Sequence, residues 1–274
     1  MEFSGKAARV KAIERFAWAV GALICLLLMP GMSGAAENLL VPGADLSQLV
    51  VKKGAWCRYV VVDEALGQVD STEVYVGVPS TEPTSRGPAF WLELASRPLG
   101  GGAEEAQVLK LLVLERVTSF SEGDSLGDYV VKFYIKKGTR AAEEADPRTY
   151  GDFSLIVPTP ESSWESFEDV PTTTRAGEFS CAKKMRVVED NREIPTGRVK
   201  LIKKSRDDYT VWFDQSVPLF RLVKCVIERS RETEMVPRVA GIPMSGEQYS
   251  KTTAELTGFG FNAKPVLSLD LPRR

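Results

Sequence analysis

From residue 55 onward the chain alternates apolar and polar residues with a period of two, the spacing of a half-buried β-strand. The fullest instance is 209–228. It reads as a strand, a tight turn marked by Pro218, and a longer second strand. Val211 and Phe213 share a face of the first. Leu219, Val223, Cys225 and Ile227 share a face of the second. The same pattern predicts strands at 55–63, 71–78, 90–95 and 108–115, a short one at 153–157, and then 178–189, 197–205, 208–214, 217–229 and 251–259. Residues 44–51 suit a short helix or a first strand. Asp207-Asp208 suits a hairpin turn.

Punctuation between these runs predicts loops. Residues 79–88 are rich in Pro, Ser and Thr, Gly100-Gly101-Gly102 is a turn, 139–149 is polar, and 172–177 is linker-like. Residues 231–250 hold no clean period and read as a long loop. Two stretches change period. Leu126, Tyr129, Val130 and Phe133 sit at i, i+3, i+4 and i+7, and Lys136-Lys137-Gly138 supplies a helix end, so 126–137 is predicted helical. A strand is the alternative there, since Tyr129, Val131, Phe133 and Ile135 also alternate. Thr159-Pro160 predicts the start of a second helix, carrying Trp164 and Phe167 and ending before Pro171. The connections are too short for parallel crossovers, so the expected fold is mainly β (α+β) with an antiparallel meander.

The first 36 residues follow a different plan. Lys6, Arg9, Lys11 and Arg15 precede an apolar run from 16 to 29, and Ser33-Gly34-Ala35-Ala36 supplies small residues. This is the order of a secretory signal peptide, and the run is short for a membrane span of about 20 residues. Cys25 follows bulky Ile24 inside that run, which argues against a lipoprotein anchor. Cleavage after 36 would leave one domain, 37–274. It would remove those four basic residues with Glu2 and Glu14, leaving 31 basic against 35 acidic residues, a net of −4. That balance gives no attraction to nucleic acid. Cys57, Cys181 and Cys225 remain. They allow one disulfide and one free thiol, or three buried thiols.

The chain has no histidine. That removes Ser-His-Asp and Cys-His catalysis, His-ligated zinc and a His general base. Ser180-Cys-Ala-Lys183 has the Ser-x-x-Lys spacing of serine acyl-transfer enzymes, but that chemistry needs one helical turn, and a strand sends Ser180 and Lys183 to opposite faces. Glu161, Glu165, Glu168 and Asp169 suit a solvated surface more than a carboxylate pair. Glu143, Glu144 and Asp146 lack the alternation of a calcium loop. Gly100–Gly102 lacks the Lys-Ser/Thr of a phosphate loop. Lys183, Lys184, Arg186, Lys203, Lys204 and Arg206 read as solvated backs of strands. No metal or cofactor is expected.

The apolar stripes are the remaining candidates. Phe90, Leu92, Leu94, Val211, Phe213, Leu219 and Val223 could line one curved sheet, with Phe133 beside them and Arg221 as the polar interruption. Packing surface is their first reading and a ligand cavity their second; an incompletely filled concave sheet is both.

The segment Val217-Pro-Leu-Phe-Arg-Leu-Val-Lys224, taken with Gly177-Glu-Phe-Ser-Cys-Ala-Lys183, Val211-Trp212 and Glu255-Leu-Thr-Gly-Phe-Gly260, resembles exported bacterial proteins of the LolA/LolB-like lipoprotein-carrier superfamily. The resemblance covers the last third of the chain. It implies a half-barrel of antiparallel strands with helices over the concave side, where the carriers hold acyl chains. Arg221 departs from the pattern, since related sequences often place a small residue such as Gly there. The expected function is therefore a non-enzymatic protein of the periplasm or outer-membrane periphery. It would bind an acyl chain, a lipoprotein or another apolar partner, with 126–137 and 231–250 as a lid. Two alternatives stand beside it. A structural module of an envelope complex would show a filled core and an exposed apolar or edge-strand patch. A His-free carboxylate hydrolase would show two acidic groups facing across a cleft.

Overall fold

The computed structural model describes residues 41–42, 49–119, 126–146, 164–196, 199–236 and 247–266. The expected signal segment 1–36, the expected strand 153–157 and the start of the second expected helix lie outside these residues. The described strands are β1 Trp56–Ala65, β2 Gln68–Thr84, β3 Gly87–Pro98, β4 Gln107–Leu114, β5 Val130–Lys137, β6 Glu143–Glu144, β7 Glu165–Thr174, β8 Gly177–Thr196, β9 Val199–Phe213, β10 Leu222–Val236 and β11 Gln248–Gly260.

All of them join one antiparallel sheet in the order β6-β5-β4-β3-β2-β1-β11-β10-β9-β8-β7. Two meanders meet at its centre, where β1 pairs with β11 from Trp56↔Gly260 to Ala65↔Ser250. Leu66 and Gly67 both take positive φ between β1 and β2, the primed turn whose twist matches that of the flanking strands. The sheet is open and curved. Phe179 on β8 lies 6.1 Å from Phe259 on β11, although a flat sheet would hold strands three places apart at about 14 Å. The Arg175 amide, in the β7–β8 turn, likewise reaches Glu255 Oε1 on β11 at 3.2 Å.

Several expectations are corrected. Of the helix expected at 126–137, one turn forms, Leu126–Tyr129; the rest is β5. The helical period coincided with an alternating one, and the β-branched and aromatic residues Val130, Val131, Phe133 and Ile135 side with the strand because β4 offers them a free edge. The second expected helix is replaced over its described part by β7, whose Pro171 is tolerated on an edge strand. Residues 79–88 are sheet rather than loop. Pro79 falls in the irregularity between Gly77 and Ser80, and Pro83 faces Pro88 beside the turn. Residues 172–174 extend β7, leaving Arg175 and Ala176 as a two-residue turn. Asp207-Asp208 is mid-strand in β9, where Arg231 and Arg206 hold the two carboxylates. The expected loop 231–250 is strand as far as Val236 and again from Gln248.

The concave face carries one buried cluster drawn from both meanders, including Tyr59, Val76, Phe90, Leu111, Phe133, Val223, Cys225 and Leu256. The helical cover implied by the resemblance is not found among the described residues. Instead the connection between β9 and β10 crosses this face and buries Val217, Leu219 and Phe220. Val41 and Leu49, ahead of β1, pack into the same cluster. Buried groups hold the crossing segment in place. The Val50 amide donates to the Leu219 carbonyl at 2.8 Å, the Cys57 thiol to the Pro218 carbonyl at 3.2 Å, and the Tyr59 hydroxyl to the Leu222 carbonyl at 3.1 Å. The second strand of the 209–228 hairpin therefore begins at Leu222 rather than at 217, and the turn is longer than the pattern suggested.

Candidate functional site

The sequence-derived candidates gather on the concave side and are packed there. Phe90, Leu92, Leu94, Phe133, Val211, Leu219 and Val223 are all buried members of the central cluster, and Phe213 packs against it half-buried. Arg221 stays outside the cluster, half-buried, at the end of the crossing segment. Its φ is +57°, and that of Leu219 is +63°. A left-handed residue without glycine costs of order 1 kcal/mol, so Arg221 stands in a conformation that the small residue expected there would take more easily.

The cavity shown among the described residues lies on the opposite, outer face, and the alternating pattern placed it on the polar side. Pairing aligns Trp56, Gly77, Glu93 and Lys110 across β1 to β4, and beside them Arg58, Tyr75, Ala95 and Val108. Trp56 of the first row, the whole second row, the Glu73–Arg97 pair and the segment 262–266 line a groove of about 540 Å³, within the usual range of roughly 300–1,000 Å³ for small-molecule sites.

Backbone geometry builds the floor. The Trp56 indole lies over β11, where a Cβ on Gly260 would meet its Nε1 at 2.8 Å. The Tyr75 ring lies along its own strand, where a Cβ on Gly77 would meet the hydroxyl at 2.4 Å. The two rings stack at 6.3 Å with an interplanar angle of 22°. Glycine on the neighbouring positions thus lets an aromatic shelf lie flat on the sheet.

The segment after β11 forms the wall. Gly54, at φ +85°, lets this segment approach so closely that a Cβ would sit 2.5 Å from the Phe261 carbonyl oxygen. The Ala263 amide donates to the Gly54 carbonyl at 2.7 Å. Trp56 Nε1 donates to Asn262 Oδ1 at 2.8 Å. The Val266 amide donates to Glu93 Oε2 at 2.6 Å. Glu93 is fully buried, and its other oxygen lies 2.8 Å from Lys110 Nζ. The Val266 amide satisfies one oxygen, while the other is offset by the Lys110 charge without a hydrogen bond of good geometry.

Burial, and then the negative charge of Glu93, push the Tyr75 phenol up to about 12, so it is neutral at physiological pH. Cys57, Cys181 and Cys225 are free and buried. Burial raises all three, Cys57 and Cys225 to about 12, which keeps these thiols protonated. Ser180 donates to Asp169 Oδ1 at 3.3 Å, a local contact across the β7–β8 pair and not an acyl-transfer arrangement with Lys183. No group of three or more metal-type side chains converges among the described residues.

No protein-family model matches the chain, and no curated protein matches it. Among solved structures, a candidate lipoprotein from Parabacteroides distasonis is similar at 12% identity and a TM-score of 0.31, over 78% of this chain and 98% of its own. A DUF1329 family protein from Desulfovibrio piger is similar at 10% identity and a TM-score of 0.27, over 78% of this chain and 87% of its own. At those scores neither likeness carries an argument about fold or function.

Proposed function

We infer that this chain is a non-enzymatic binding or carrier protein of the bacterial envelope, and that the outer-face groove holds the apolar part of its ligand. The basic and apolar order of residues 1–36 supports export. The observation that carries the reading is the groove itself, a cavity of about 540 Å³ with a flat Trp56–Tyr75 floor and Ala95, Ala106 and Val108 in its lining. Burial of an acyl chain there would contribute about 0.8 kcal/mol per methylene. A second reading places the apolar ligand on the concave side. It is favoured by the two left-handed residues of the crossing segment, Leu219 and Arg221, because strained backbone gathers where a segment must move.

Purified protein, stripped of lipid and titrated with an apolar fluorescent dye, tests both. Binding that falls at least tenfold in Ala95→Trp assigns the ligand to the groove. Full binding in that variant assigns it to the concave side. Dye binding no greater than to a compact control protein overturns both.

A further inference from the structure

The groove is apolar in its floor and cationic at its rim. Arg58, Arg97 and Lys264 line it, against Glu73 as the one lining carboxylate. Glu93, beneath it, is fully buried, and the Lys110 ammonium beside it offsets its charge. Glu73 sits between two guanidiniums. Arg97 holds its Oε2 through Nε at 2.8 Å and a terminal nitrogen at 2.6 Å, while Arg58 Nε lies 3.4 Å from its Oε1. One carboxylate thus anchors two cations in place. Both arginine side chains remain more than half exposed, and each guanidinium has N–H donors beyond those Glu73 takes. Arg58 also lies 6.0 Å from the Trp56 ring, at the edge of the shelf.

We propose that the ligand of this groove is an anionic amphiphile, its apolar chain on the Trp56–Tyr75 shelf and its oxyanion head on the N–H donors of Arg58 and Arg97 that Glu73 leaves open. This rests on the groove being the binding site. An arginine fork matches carboxylate and phosphate oxygens alike, so the shared chemistry is a single-tailed oxyanion. The excess of cations over carboxylates at the rim opposes a cationic head and gives a neutral one hydrogen bonds without an ion pair. Fixing both guanidiniums on Glu73 before binding reduces the entropy lost when the head docks.

The test is isothermal titration of the full chain, below micelle concentrations, with four twelve-carbon probes: dodecanoate, dodecyl phosphate, dodecyl maltoside and dodecyltrimethylammonium. The expected result is binding of an oxyanion at least tenfold tighter than of the maltoside, with the cation weakest. Preference for dodecanoate or for dodecyl phosphate separates a fatty-acid carboxylate from a phosphate head. Arg58→Gln/Arg97→Gln should erase the preference, bringing oxyanion affinity to within about threefold of the maltoside, with the circular dichroism spectrum unchanged. Equal affinity for all four probes, or a preference that survives in the double variant, overturns the proposal and leaves the groove as an apolar site. Failure of every probe to bind overturns the groove reading as well.

Discussion

Strand β4 and the far ends of β8, β9 and β10 are all regular antiparallel strands, yet different forces hold them. Leu109, Leu111 and Val113 of β4 face the concave cluster, while Leu112 and Leu114 pack with Ala89 and Trp91 on the outer side. Both faces are buried. Past Met185 the pairing with β7 ends, and past Arg231 the pairing with β11 ends. What continues past both is a three-stranded arm, 191–196, 199–204 and 232–236, and with the adjoining 186–190, 205–209 and 228–231 its described side chains are half or fully exposed, Leu201 excepted. Cross-strand ion pairs take over there: Arg206 with Glu189 at 3.5 Å, Lys204 with Glu232 at 3.5 Å, and Arg231 with Asp207. Identical backbone geometry therefore says little about local stability. Burial on two faces gives β4 a large share of the global stability, whereas exposed pairs contribute at most about 1 kcal/mol each.

The sharpest way to break this contrast is a cavity in the body. Phe133→Ala should cost about 3–5 kcal/mol, read as a lowered urea midpoint. A loss under about 1 kcal/mol would remove Phe133 from the core. Next comes Glu93→Gln, which leaves the Lys110 ammonium without its buried carboxylate and should cost about 3 kcal/mol. Exchange of the Val266 amide should quicken in Glu93→Leu, which removes its acceptor. Unchanged exchange there would detach the 262–266 wall from the groove.

Effects in the arm should be smaller and screened by salt. Arg231→Ala should cost no more than about 1 kcal/mol, vanishing in 1 M salt, where the Debye length is about 3 Å. Amide exchange in 186–196 should quicken with added salt while that of β4 stays fixed. Acid should act on the arm as well. The Lys251 ammonium, 3.0 Å from Glu228, holds that carboxyl below its ordinary range. Its contribution is complete above the unfolded value and is lost as pH falls through the lower folded value. Protection where β10 meets β11 should therefore drop in acid before β4 responds. The smallest effect should come from the crossing segment. Arg221→Gly should leave stability unchanged or raise it by up to about 1 kcal/mol by relieving the left-handed strain.

Much of the architecture was legible because strand spacing is a local property. The alternation located β1, β3, β4 and β11 and the concave stripe, since one residue in two must face the core. It failed where two periods overlapped, as at 126–137, and where sheet pairing overrode proline and aspartate signals, as at 79–88 and 207–208. The groove is not legible from the apolar faces, because it lies on the other side of the strands. Trp56, Tyr75 and Trp91 stand on the polar side of their strands, and glycines at 77, 258 and 260 lie near two of those rings. Aromatics on the wrong side of an alternating strand were the available signal.

The sequence by itself determined a mainly β chain, an export-like start, the absence of histidine chemistry and the residues that turn inward. It could do so because side-chain direction, composition and hydropathy need no knowledge of distant neighbours. Only the tertiary structure decided that β1 and β11 meet at the sheet's centre, that the segment after β9 fills the concave face, and that the rings of Trp56 and Tyr75 stack above a buried Glu93. Each of those depends on contacts between residues up to two hundred positions apart, such as Trp56 with Asn262 and Glu93 with Val266. No local spacing encodes such contacts, because they are selected by the packing of the whole sheet.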